Sequence, residues 1–189
     1  MATLKIYTYP DQVLLKKAKP IKSITEEDKN LISRMIETMY CAQGVGLAAP
    51  QVGISKKIIV ITQDAQFVKE IIKGMDDQAR KAVFAVGRSL NCQAITLINP
   101  EIKRKKGSVT TEEGCLSLPG INAVVKRAKT VWVDAWNIYE EELKLKADDL
   151  FARVLQHEID HLNGVLFPQR VSILKRKALF NKFEKYKKQ

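Results

Sequence analysis

The chain has 189 residues, 46% of them hydrophobic and 28% charged, a length and balance that suit one compact domain with a full core and exclude a disordered or fibrous protein. No apolar run approaches the roughly 20 residues of a membrane span, and the opening MATLKIYTYPDQ lacks the features of a secretory signal, so a cytoplasmic protein with no membrane partner is expected. The net charge of +11 favours anionic partners and is uneven: residues 170–189 hold eight basic residues against one acid, Glu184, so seven of the eleven charges sit in the tail.

In chain order, Pro10 and Pro20 interrupt the N-terminal stretch. Thr25 followed by Glu26, Glu27 and Asp28 reads as an N-cap with an acidic first turn. Leu31, Ile32, Met35, Ile36 and Met39 recur at helical spacing until Gly44 stops the pattern, which predicts a helix of about four turns. The loop GVGLAAPQVG follows, and KIIVIT at 57–62 reads as a buried strand. Residues 63–93 resemble an insertion: Phe67, Val68, Ile71, Ile72 and Met75 suggest a helix, while Gly74, Gly87 and mixed polarity oppose it.

Beyond the insertion, AITLINPEI, residues 124–127, residues 130–135 and ELKLKA read as strands joined by short polar turns. Asp148 or Asp149 caps a helix running to about Asn163, with Gly164 at its C′ position. Ser172 opens a terminal helix over about 172–187, with Ile173, Leu179, Phe180, Phe183 and Tyr186 on one broad side. This order does not alternate as βαβ units do, so the expected class is α+β with mainly antiparallel sheet, in a single domain over 1–189.

The chemistry concentrates in HEIDH, which contains the only two histidines of the chain. His157 and His161 are one helical turn apart on one face, where both imidazoles reach a single divalent cation, and Glu158 stands beside them. At 100° per residue, Leu150, Val154, His157 and His161 fall within about 60° of one another, so an apolar wall continues the metal face toward the helix N-terminus. Phe151, Leu155, Ile159 and Leu162 occupy the other side, which predicts a helix buried on both.

Cys115, within EEGCLSLPG, is the candidate third ligand: a soft sulfur and two imidazoles leave one tetrahedral position open, as in a catalytic metal site. Cys41 and Cys92 have no such neighbours and are read as structural. The loop GVGLAAPQ supplies glycines that allow close backbone approach and the Gln51 amide as a donor.

Taken together and in this order, GVGLAAPQ, EGCLS and HEIDH resemble the three signature motifs of peptide deformylases, enzymes that remove the N-formyl group from nascent polypeptides. The resemblance spans most of the chain, including INPEI before the second motif and LNGVLF after the third. It implies a mixed α+β domain with the metal-binding helix packed among antiparallel sheets. It implies Cys115, His157 and His161 as ligands of Fe2+, for which Zn2+, Ni2+ or Co2+ can substitute, and Glu158 as the general base. Gln51 and the backbone N–H of Leu116 would hold the developing oxyanion. Gly46 would contact the substrate near its formyl group, and Val45, Glu113, Leu150 and Val154 would border the methionine side-chain pocket. The substrates would be N-formylmethionyl peptides. One departure is Asn122, seven residues after Cys115, where many relatives carry an arginine that contacts the peptide.

Two other readings compete. A metalloprotease also carries HExxH, but no histidine follows His161 to complete its ligand set. A nucleic-acid or ribosome-binding module would rest on the basic tail, which lacks a recognisable RNA motif. The tail is therefore read as an accessory, either a solvated lysine-rich helix with no partner or an anchor that holds the enzyme near the polyanionic ribosome, with no DNA partner.

Overall fold

The computed structural model describes residues 3–62 and 94–187. The first helix, α1 (Glu26–Cys41), opens as expected: the Thr25 hydroxyl accepts from the Asp28 N–H while the Asp28 carboxylate accepts from the Thr25 N–H at 3.1 Å, closing a reciprocal capping box. Its exit differs. The left-handed residue is Gln43, at φ 54°, and Gly44 then donates back to the Met39 carbonyl at 2.9 Å.

A five-stranded antiparallel sheet runs in the order β1 (Gly46–Ala48), β2 (Ile58–Thr62), β3 (Ala94–Lys106), β6 (Thr130–Trp136), β7 (Glu142–Asp148). The hairpin of β4 (Val109–Gly114) and β5 (Asn122–Arg127) forms a separate two-stranded sheet. Helices α2 (Asp149–Leu162) and α3 (Ile173–Tyr186) complete the α+β fold.

Strand β2 is buried at every residue because helices cover both of its faces. Ile58 and Val60 pack with Ile32, Met35, Ile36 and Met39 of α1. Ile59 and Ile61 pack with Phe151, Leu155 and Ile159 of α2, together with Val131 and Val133 of β6 and Leu143 and Leu145 of β7. An apolar run without alternation is what such a two-sided strand requires, and each fully buried aliphatic side chain contributes about 1.5–3 kcal/mol. Strands β6 and β7 instead alternate buried with half-buried or exposed positions, and on their outer face only Trp136, at the end of β6, packs against the α1 cluster.

A third cluster joins Phe183 of α3 to Leu118, Ile121, Val125 and Phe167, with Tyr9 stacked on Phe180 at 4.4 Å between ring centroids. Phe183, Phe180 and Leu179 dock as expected. Ile173 does not: it is 67% exposed.

Other details differ or were not foreseen. β4 is a strand although VTTEEG shows no apolar alternation, and β1 is an edge strand inside the expected glycine loop. Helix α2 starts after Asp148, whose side chain makes no cap; it accepts from the Thr130 hydroxyl at 2.6 Å and pairs with Lys146. The C-terminal end agrees, with Gly164 at φ 69°. The suggested helix around Phe67–Met75 lies outside the described residues.

Candidate metal centre and active site

Helix α2 is buried on both sides, as its pattern requires, and it presents His157, Glu158 and His161 in its last two turns. The turn after β4 brings Cys115 to them. Its Sγ lies 3.2 Å from His161 Nε2, and one ligand atom from each of Cys115, His157 and His161 falls within 4.8 Å of the others. These three form the only such metal-ligating group among the described residues. Sulfur and two imidazoles converging on one point suit a divalent transition metal of intermediate softness. The Oε2 atom of Glu158 is buried with no hydrogen-bond partner, so the carboxylate has acceptor capacity to spare beside that point.

A cleft of about 410 Å3 opens onto this group, lined among others by Val45, Gly46, Gln51, Glu113, Cys115, Leu116, Leu150, Val154, His157 and Glu158. All the residues singled out from the sequence therefore meet at one cleft except His161, which is buried behind it. The Gln51 side chain is clamped, its Oε1 accepting from the Ala48 N–H at 2.8 Å and its Nε2 donating to Ser117 Oγ at 3.3 Å and toward Cys115 Sγ at 3.7 Å. The glycines of the first motif act by their lack of a side chain. A Cβ at Gly46 would stand 2.5 Å from Glu158 Oε1, and one at Gly44 would stand 2.9 Å from Leu116 Cδ1.

Glu113 lines the cleft, as expected of a residue bordering it, and its carboxylate has further partners: it accepts from Arg127 Nε and Nη2 at 2.8 and 2.9 Å and lies 3.0 Å from His157 Nδ1. Glu113 thus orients the imidazole of a candidate metal ligand. Arg127 also donates to Asp160 at 2.5 Å, and Asp160 in turn pairs with Arg170. Gln156 fixes the same helix by donating to the Ala128 carbonyl at 2.9 Å while accepting from its N–H at 3.0 Å. Sequence reasoning missed Arg127, Asp160, Gln156 and the cleft residue Arg153; for the last three the only signal was polar residues on a helix otherwise apolar on both sides, and Arg127 at the end of β5 gave none.

The electrostatics follow from burial and these partners. Burial alone would raise the Glu113 pKa, but hydrogen bonds from Arg127 and His157 outweigh it and hold the carboxyl down to about 2. Burial pushes Glu158 up to about 7. Burial, with the charges of His157 and Arg127, holds His161 well below the usual imidazole value. For His157, burial is outweighed by hydrogen bonds with Cys115 and Glu113, which raise it.

Compared with known proteins, residues 3–177 match the polypeptide deformylase family. The chain belongs to that family. A peptide deformylase of Thermodesulfovibrio yellowstonii is 44% identical over 97% of this chain and 98% of its own length. Among solved structures, a peptide deformylase from Legionella pneumophila superposes with a TM-score of 0.80 at 38% identity, covering 99% of this chain and 96% of that one. One from Ehrlichia chaffeensis gives 0.82 at 32% identity, covering 99% and 98%. The activity that goes with the family is the one the three motifs pointed to, and the protease and RNA-module readings find no support. No helix among the described residues is long and apolar enough to cross a membrane.

Proposed function

We propose that this deformylase works on N-formylmethionyl peptides with Cys115, His157 and His161 holding a divalent cation, Fe2+ in the cell, with Zn2+, Ni2+ or Co2+ able to replace it. The observation that carries this reading is the convergence of the three ligand atoms within 4.8 Å at the floor of a cleft that also exposes Glu158 and Gln51. A cation there supplies Lewis acidity, polarising the formyl carbonyl and lowering the pKa of water toward about 7.

The protein's own groups do the rest. Glu158 takes the proton of the attacking water and passes it to the leaving amine nitrogen. Gln51 Nε2 and the Leu116 N–H donate to the oxyanion that develops as the carbonyl becomes tetrahedral, and one such donor contributes about 3 kcal/mol. Gly46 contacts the substrate near its formyl group, and its missing side chain is what lets the Glu158 carboxylate stand beside it. Val45, Leu150 and Val154 supply apolar walls for the methionine side chain. The basic side of α3 holds the enzyme close to the ribosome in the cytoplasm, where formylated chains emerge.

The test is Glu158→Gln. We expect it to keep one cation per chain while formate release from formyl-Met-Ala falls 10²–10⁴-fold, the usual contribution of a positioned acid–base group. Near-normal turnover by the metal-loaded variant would remove Glu158 from the mechanism.

A further inference from the structure

On the face of β3, β6 and β7 away from the metal helix, beyond the end where Ile98 and Trp136 pack with the α1 cluster, lies a groove of about 520 Å3. Its lining includes Arg104, Lys106, Lys129 and Lys146 against a single carboxylate, Asp148. That carboxylate is already engaged by Lys146 at 3.1 Å and the Thr130 hydroxyl at 2.6 Å. Lys129 lies 3.9 Å from Asp149, while Arg104 and Lys106 have no ion pair among the described residues.

Strand register sets the spacing. Arg104, Trp132 and Lys146 stand opposite one another on adjacent strands, as do Lys106, Thr130 and Asp148 one step along. With strands about 4.8 Å apart, Arg104 and Lys146 are about 10 Å apart across Trp132, and Arg104 and Lys106 about 7 Å apart along β3. The Arg104 guanidinium sits over the Trp132 ring, 4.7 Å from its centroid, which holds its donors in the groove. The opposite end of the same face is acidic, with Glu101, Asp134 and Glu142 lining a smaller cavity. A polyanion is thereby confined to the basic half.

We infer that this groove binds single-stranded RNA, with phosphates on Arg104, Lys106 and Lys146 and a base against the Arg104–Trp132 pair. A line of cations beside an aromatic platform is what a single strand's alternating phosphates and bases require. These residues are separate from the cleft and from α3, so the site adds a second function to the deformylase fold.

The test uses the metal-loaded full chain and a fluorescein-labelled 12-nucleotide oligouridylate, read by anisotropy from 50 to 300 mM salt. The variant Arg104→Gln/Lys106→Gln/Lys146→Gln is compared with Lys16→Gln/Lys17→Gln/Lys22→Gln, which removes the same charge from another exposed surface. We expect the groove variant to weaken binding at least tenfold at 50 mM salt and to lower the log–log salt slope by about 2, at roughly 0.7 for each phosphate no longer neutralised. The control variant should stay within about twofold, and formate release should be unchanged in both. In a Trp136→Phe background, RNA should quench the emission of Trp132. Equal weakening by both variants, an unaltered Trp132 emission at saturation, or equal affinity for an oligoglutamate of the same charge would overturn the inference.

Discussion

Gly46 and Glu158 touch across the cleft so closely that no other residue fits at position 46: a Cβ there would stand 2.5 Å from the carboxylate Oε1. The neighbour is buried on the rigid helix α2, so a methyl group must displace either the carboxylate or the edge strand β1. Gly46→Ala should therefore lower kcat for formyl-Met-Ala at least about 10²-fold, the loss expected when a reacting group is moved by about an ångström. Cation content should stay at one per chain. Wild-type kcat in the alanine variant would mean that the carboxylate has another productive position.

Removing a ligand tests a different link. Cys115→Ala takes away the sulfur that reaches His161 at 3.2 Å. Because a cation bound only to the folded state stabilises it by mass action, about 2.7 kcal/mol at a hundred times Kd, chelation should lower the wild-type Tm. The variant's Tm should respond little to chelator, and its metal stoichiometry by elemental analysis should fall well below one. Stoichiometric metal at wild-type affinity in Cys115→Ala would count against the cysteine as a ligand.

The buried guanidinium of Arg127 neutralises Glu113 and Asp160 together. Arg127→Leu leaves Glu113 buried without its guanidinium partner, and removing one member of such a buried pair costs about 3–5 kcal/mol. Urea unfolding should show that loss. Cation affinity should also fall about 10–100-fold, because the carboxylate that orients His157 loses its anchor. Full stability with weakened metal binding would confine the role of Arg127 to the site.

How much of this was legible before the structure depended on sequence distance. His157, Glu158 and His161 are neighbours on one helix, so helical geometry alone places them together. Cys115, 42 residues upstream of His157, was joined to them through motif order and not through any periodicity. Arg127 was hidden because its partners, Glu113 and Asp160, come from β4 and α2, and a charged residue at a strand end looks solvated until the chain is folded. VTTEEG escaped detection as a strand because its inward positions are only half-buried, so it carries no apolar alternation. The buried strand at 57–62 and the capping box at Thr25 were readable because local chemistry dictates both.

Asp28 offers a pH test remote from the cleft. Burial would raise its pKa, but the hydrogen bond from Lys56 at 2.5 Å and those from Thr25 outweigh it, holding the carboxyl below its ordinary 3.8. A depressed carboxyl stabilises the fold above its unfolded value, and that contribution disappears as pH falls through the folded value. Asp28→Asn should cost about 1–2 kcal/mol at pH 7, in the range of a lost helix cap. The gap between wild type and variant should narrow below pH 4. A gap that stays constant from pH 7 to pH 3 would show that shape, not charge, is what the position supplies.

Gly120 lines the cleft at φ 73°, and a Cβ there would stand 2.7 Å from the ring of Tyr186, in the last turn of α3. The same helix seats Phe183 against Leu118 and Ile121, in the turn that follows Cys115. The tail and the rim of the cleft thus share one packed cluster, like a handle set on the lip of a cup. A surface that gripped the basic side of α3 would also set the direction in which the cleft opens, so tethering there would aim the cleft as well.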